Sequence, residues 1–241
     1  MLWLHKRLAV VVGALIVVAA CNDARPSSPV GHRPDAGAID AAAAAPEAST
    51  KARIVFLGDS LTAGYGLARH QSVPALVQAR LDRERLDYEV VNAGVSGDTS
   101  AGGLSRLEWS LDGIVRVLVV ELGGNDGLRG LPVTAMKDNL DAIIRRAKAR
   151  GITVLLTGME APPNYGQAYT SEFRAAFRDL AQAHRVAFVP FYLEGVAGKP
   201  ELNIADGIHP NPEGARTVEQ TIWRALQPLL VADHGPGGGD R

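Results

Sequence analysis

The 241 residues include one cysteine, Cys21, so no intrachain disulfide can form and the fold has to rest on its core. Neither sign of charge dominates: 25 Lys and Arg stand against 26 Asp and Glu, and a formal net charge of -1 offers nothing to attract nucleic acid. No Gly-x-Gly-x-x-Gly opens a helix after the first predicted strand and no Walker sequence occurs, which argues against nucleotide binding. A Gly-x-Ser-x-Gly nucleophile elbow is missing as well. The few histidines and the lone cysteine leave no metal-ligand cluster of familiar spacing. There is no internal repeat, and the apolar run from Leu8 to Ala20 is too short for a spanning helix.

That run follows His5-Lys6-Arg7 and ends in Val18-Ala19-Ala20-Cys21. A positive start, a short apolar stretch and small residues before a break describe a secretory signal over residues 1–20. The last four residues also resemble a bacterial lipobox, in which the signal is cut before the cysteine and the cysteine is lipidated. The plainer alternative is a cut near Ala20 that leaves a free thiol. A single cysteine at that spot favours the lipoprotein, a membrane partner through Cys21, and a place in the bacterial cell envelope. Residues 21–51 are rich in Ala, Pro, Ser and Asp, with little to bury, and read as a flexible tether. Residues 233–241, with four glycines, read as a tail. Residues 52–232 then form one domain of ordinary size.

Within that domain, Arg53 to Leu57 is an apolar, β-branched run that stops at Gly58-Asp59-Ser60, as a buried strand ending in a polar turn would. Val73 to Leu86 repeats its apolar residues at helical spacing. Tyr88–Val91 is a second strand ending at the turn Asn92 to Thr99, with a helix over 101–109 after it. Arg116–Leu122 is a third strand, followed by Gly123-Gly124-Asn125-Asp126-Gly127, then a helix over 133–150 and a strand over 152–157. A loop over 158–168 leads to a helix from Thr170 to His184, a fifth strand over 186–189 and a closing helix over 213–230. Strands alternating with helices predict parallel pairing by right-handed crossovers, hence an α/β/α three-layer sandwich. The expected sheet is flavodoxin-like, five parallel strands in the order 2-1-3-4-5, with the loops after strands one, two and three opening on one edge.

Ser60 at that edge is the candidate nucleophile; the bland alternative is a turn into a helix, with Ser60 or Thr62 as its N-cap. A serine hydroxyl is a weak nucleophile until a base takes its proton. Of six histidines, His5, His32 and His234 lie outside the domain, His184 ends a helix where the dipole alone accounts for a cation, and His70 has no acid beside it. His209 stands in Asp206-Gly207-Ile208-His209-Pro210, where Asp206, three residues back, can orient the imidazole. The backbone N–H groups of Ser60 and Gly97 and the side-chain amide of Asn125 are in position to serve as oxyanion donors, and the alternative for Asn125, among Gly123, Gly124 and Gly127, is a turn former at a strand end. Asp59, Asp98 and Asp126 sit next to these positions and are assigned to fixing the loops.

Gly58-Asp59-Ser60-Leu61-Thr62-Ala63-Gly64-Tyr65-Gly66, residues 91–99, residues 121–130 and Asp206-Gly207-Ile208-His209-Pro210 resemble the four blocks of the SGNH, or GDSL, hydrolases. The chain is similar to their bacterial arylesterase and acyl-CoA thioesterase I / lysophospholipase L1 group, over about residues 52–230 and through Pro163-Asn164-Tyr165-Gly166. The resemblance implies Ser60 as nucleophile, His209 with Asp206 as base and orienter, Gly97 and Asn125 with the Ser60 N–H as oxyanion donors, and neither metal nor cofactor. It implies a serine esterase or thioesterase acting on aryl esters, lysophospholipids or acyl thioesters. The alternatives are a carbohydrate acetylesterase of the same superfamily and a non-catalytic envelope lipoprotein. The leader and tether are no part of the four blocks, and periplasmic relatives are commonly free proteins, so location does not follow from the resemblance.

Overall fold

A computed structural model describes residues 50–233. The expected leader, Cys21, nearly all of the tether, and the tail beyond Asp233 lie outside the described residues.

Five strands, β1 (Ala52–Gly58), β2 (Tyr88–Gly94), β3 (Val115–Glu121), β4 (Thr153–Thr157) and β5 (Ala187–Val189), form one parallel sheet in the order β2-β1-β3-β4-β5, as expected. Ile54, Val55, Phe56 and Leu57 of β1 are all fully buried, which is why this strand reads as an unbroken apolar run: a central parallel strand is covered on both faces. Helices α2 (Val73–Glu84) and α8 (Pro212–Asp233) pack together over one face, joined by Arg80, whose guanidinium lies 4.6 Å from the Trp223 ring and 3.3 Å from Glu219. The other face carries α6 (Val133–Ala149), packed between α3 (Ser100–Ser105) and α7 (Gly166–His184). Met136, Leu140, Ile143, Ile144 and Ala147 give α6 its buried stripe at three- and four-residue spacing. On the free edge of β2, the Gln78 carboxamide accepts from Val90 N–H at 2.7 Å and donates to the Tyr88 carbonyl at 3.1 Å, standing in for a neighbouring strand.

Local departures from expectation have identifiable causes. Strand β2 runs on through Asn92-Ala93-Gly94, expected as turn, because these residues pair with Phe56, Leu57 and Gly58 and the Asn92 amide finds the Thr62 carbonyl at 3.0 Å. The single helix expected over 101–109 is two, α3 and α4 (Leu107–Ser110), broken at Arg106. There the guanidinium reaches the carbonyls of Gly58 at 2.8 Å and Ala93 at 2.6 Å and the Asp98 carboxylate at 2.6 Å, tying the ends of β1 and β2 together. Helix α7 starts at Gly166, four residues before Thr170, its first turn anchored by the Tyr169 hydroxyl on the Leu131 carbonyl at 2.8 Å.

Candidate active site

The register of the sheet builds the site. Gly58 lies opposite Gly94 on one side and Glu121 on the other, so three strands end level and their following turns share one edge. A side chain at Gly58 has no room, since a Cβ would stand 2.1 Å from Thr62 Oγ1 and 2.6 Å from Glu121 Oε2. Two short helices begin at this edge, α1 (Ser60–Ala63), which the sequence offered only as the alternative of a turn into a helix, and α5 (Gly124–Leu128), which sequence reading missed. Asp59, not Ser60 or Thr62, caps α1, its Oδ1 accepting from Leu61 N–H at 3.0 Å. Ser60 is thereby the first residue of the helix, where a backbone N–H has no intrahelical acceptor.

The structure brings Ser60, His209 and Asp206 together across 149 residues: Ser60 Oγ lies 2.8 Å from His209 Nε2, and His209 Nδ1 lies 2.6 Å from Asp206 Oδ2. A carboxylate only accepts, so Nδ1 carries the hydrogen and the Nε2 lone pair faces the serine hydroxyl. Asp206 Oδ1 accepts from the backbone N–H groups of Ile208 and His209 at 2.9 and 3.0 Å. Those two bonds, then the imidazole, hold its carboxyl down to about 2 although it is exposed. Tyr65 covers the imidazole, ring centroids 4.7 Å apart. His70 is exposed on a single 3-10 turn, away from this hydrogen-bond chain.

Asn125, in α5, turns its amide nitrogen to two acceptors, Asp59 Oδ2 at 3.0 Å and the Asp98 carbonyl at 2.9 Å. Both amide hydrogens are thus engaged, and donation to a third acceptor requires one of these bonds to be shared. Gly97 sits in the preceding turn with φ +86°, a conformation that disfavours any other residue, and its carbonyl is held by Arg129 at 2.8 Å. The loop-fixing acids behave as assigned: Asp59 caps and orients, Asp98 binds Arg106, and Asp126 accepts from Ser100 N–H at 2.8 Å and Oγ at 2.6 Å.

A cleft of about 460 Å³ opens at Ser60, His209 and Asn125, walled by Leu128, Met159, Pro162, Phe191, Leu193 and Ile208. A larger groove, about 670 Å³, runs along the β2 edge beside Gln78 and Val90, but none of the three hydrogen-bonded residues lines it. Among the described residues no His, Cys, Asp and Glu group of three or more has the arrangement of a metal site. Residues given no part in the site by the sequence are Glu121, Arg106, Arg129 and Tyr65, and Thr62 was weighed only as an N-cap. Glu121 carried one signal, an acid closing an otherwise apolar strand.

A doubly wound α/β domain with a serine, a correctly tautomerised histidine and an ionised aspartate in one chain at its carboxyl edge defines a serine hydrolase. The model of the GDSL-like lipase/acylhydrolase family matches residues 56–217, and the chain belongs to that family. It is 44% identical to esterase TesA of Pseudomonas aeruginosa over 178 residues, 73% of this chain and 89% of that one. It is 40% identical to an arylesterase of Vibrio mimicus over 76% of this chain and 91% of the other. Thioesterase 1/protease 1/lysophospholipase L1 of Escherichia coli K12 is 39% identical over 75% of this chain and 86% of that one. The crystal structure of TesA superposes with a TM-score of 0.71, covering 73% of this chain and 99% of TesA. The psychrotrophic esterase EstA of Pseudoalteromonas, in a structure inhibited by monoethylphosphonate, superposes at 0.69 with 32% identity, covering 74% and 98%. The chain is an ester-hydrolysing enzyme.

Proposed function

We propose that this enzyme cleaves acyl esters or thioesters through an acyl-enzyme on Ser60, with His209 as general base and acid and Asp206 holding the imidazole. The unbroken hydrogen-bond chain Ser60 Oγ, His209 Nε2, His209 Nδ1, Asp206 carries this reading. Attack by Ser60 Oγ on the acyl carbon sends its proton to Nε2 and the carbonyl electrons to oxygen. The resulting oxyanion takes the N–H groups of Ser60 and Gly97 and one hydrogen of Asn125. That hydrogen is the one otherwise on the Asp98 carbonyl, because the bond to the Asp59 carboxylate is the stronger of the two. Collapse expels the alcohol or thiol with the proton from Nε2, and water repeats the sequence on the acyl group.

The cleft beside Ser60 is mostly apolar, which suits the acyl chain of a lipid or aryl ester better than a sugar. A fluorophosphonate probe followed by peptide mapping tests the assignment; a label on Ser60 is expected, and a label on Ser96 or Ser100 would overturn it. Location is a separate reading, supported by the lone Cys21 after Val18-Ala19-Ala20: the mature protein begins at lipidated Cys21 and works at the envelope membrane. A flexible chain of the tether's length has a typical span of roughly 30 Å. Intact mass of membrane-extracted protein decides it, and a mature form lacking Cys21 would rule the anchor out.

A further inference from the structure

The two backbone donors assigned to the oxyanion stand on different loops, Ser60 after β1 and Gly97 after β2. The pairing that holds β1 to β2 stops at Gly58 and Gly94, short of both. Arg106 bridges the gap, and each of its three nitrogens is committed. Nη2 donates to the Gly58 carbonyl at 2.8 Å, Nε to the Asp98 carboxylate at 2.6 Å, and Nη1 to the Ala93 carbonyl at 2.6 Å and, at 3.4 Å, to the Ser110 hydroxyl. The Arg106 and Asp98 side chains are only 15% and 19% exposed, so this ion pair is largely spared the solvent screening that weakens surface pairs. A guanidinium is a rigid planar fork, and acceptors that share one are held at fixed distances from each other.

The turn around Gly97 shows what those distances control. Asp98 N–H donates to the Val95 carbonyl at 3.1 Å, closing a four-residue turn with Gly97 third at φ +86° and Ser96 before it at negative φ, the pattern of type II. In type II the central peptide, which carries the Gly97 N–H, is turned over relative to type I. An N–H aimed at the cleft in one turn is aimed away in the other. Both ends of this turn are tied to the Ser60 loop: Val95 N–H donates to the Gly58 carbonyl at 3.0 Å, and Asp98 is gripped by Arg106. The Asp98 carbonyl in turn accepts from the Asn125 amide at 2.9 Å. Helix α3 leaves room for the grip at Gly102, where a Cβ would stand 2.6 Å from Asp98 Oδ1.

We propose that Arg106 is a positioning residue for the oxyanion hole. It clamps the loop of Ser60 to the loop of Gly97 and Asp98, so that both backbone donors, and the Asn125 amide held by the Asp98 carbonyl, are in place before the oxyanion forms. This rests on the acyl-enzyme reading of Ser60 given above. Donors set in advance need no reorganisation as charge develops, so loss of the clamp acts on kcat and not on the binding of the acyl chain.

Arg106→Met keeps the apolar stem and loses every donor. It should lower kcat per titrated active site roughly 10- to 100-fold with KM within about twofold of wild type. An alkylboronic acid, tetrahedral on Ser60 with one oxygen in the hole, should bind this variant more weakly by a similar factor. The alcohol of the same chain length, which only fills the cleft, should bind as it does to the wild type. Gly102→Ala disturbs the clamp from α3 with Arg106 intact. Alanine is the better helix former at that position, and the boronic acid should bind roughly three- to tenfold more weakly. This second variant decides the matter even where Arg106→Met does not fold. Unaltered kcat per site in Arg106→Met, equal weakening of boronic acid and alcohol, or wild-type boronic acid affinity in Gly102→Ala would each overturn the proposal. A boronic acid that binds Ser60→Ala as tightly as the wild type would instead remove the acyl-enzyme reading beneath it.

Discussion

Two histidine–aspartate pairs in this molecule have nearly the same separation and opposite meanings. His209 meets Asp206 at 2.6 Å, and His184 meets Asp141 at 2.7 Å. In the first pair the carboxylate takes Nδ1 and leaves Nε2 to Ser60; in the second it takes Nε2, the outer nitrogen. Asp206 is committed to its own loop, both backbone donors falling on one oxygen, while Asp141 is shared with Arg145 at 2.6 Å. Arg145 is also the leading reason the Asp141 carboxyl lies below its ordinary value. A histidine beside an acid is therefore weak evidence of chemistry. What distinguishes the proposed catalytic pair is the ring nitrogen left over and the group that it faces.

The comparison can be broken by exchanging the roles. His209→Ala is expected to lower kcat on a p-nitrophenyl ester by roughly 10⁴-fold or more, and His184→Ala to leave it within about twofold. The reverse pattern would sink the assignment. Asn125→Ala should lower kcat by about 10²- to 10³-fold with KM nearly constant; normal turnover per titrated site in the folded variant would return Asn125 to a purely structural part. Smaller effects concern stability alone. Asp141→Asn should cost about 0.2 to 1 kcal/mol in urea unfolding, less at high salt, as expected for an exposed ion pair. Asp206 sharpens the contrast by pH. Its folded value of about 2 lies below its ordinary 3.8, so its contribution to stability is complete above about pH 4 and fades as pH falls toward 2. Urea midpoints measured from pH 5 to pH 2 should fall less steeply in Asp206→Asn than in the wild type.

The order of the sheet was legible because apolar runs alternate with amphipathic stretches, and Ser60, Asp206 and His209 because the acid and base share one short loop while the serine closes a strand. Asp141 was not legible as the partner of His184: 43 residues separate them, and only the packing of α6 on α7 joins them. Glu121 was hidden for a similar reason, since its neighbours Gly58 and Asp59 are fixed by strand register and not by sequence. Arg106 looked like one residue of a continuous helix, and its pull on two strand-end carbonyls is a tertiary demand that overrides local propensity. The Asn125 amide was read as available; its engagement by Asp59 and Asp98 depends on loops 66 and 27 residues away.

Because all five strands point the same way, the chemistry gathers at one edge of the sheet while the described chain enters at Thr50, ahead of Ala52 at the other. A strand of seven residues separates those edges by roughly 23 Å. Any load hung upstream of Thr50, whether lipid, solid support or fusion partner, is therefore attached at the back of the enzyme. A short linker of about five residues, no more than roughly 18 Å when fully extended, would hold the mouth away from whatever carries it and leave the cleft open to substrate arriving from the far side. Ester groups in the carrier surface itself would come within reach only of a linker long enough to double back around the domain.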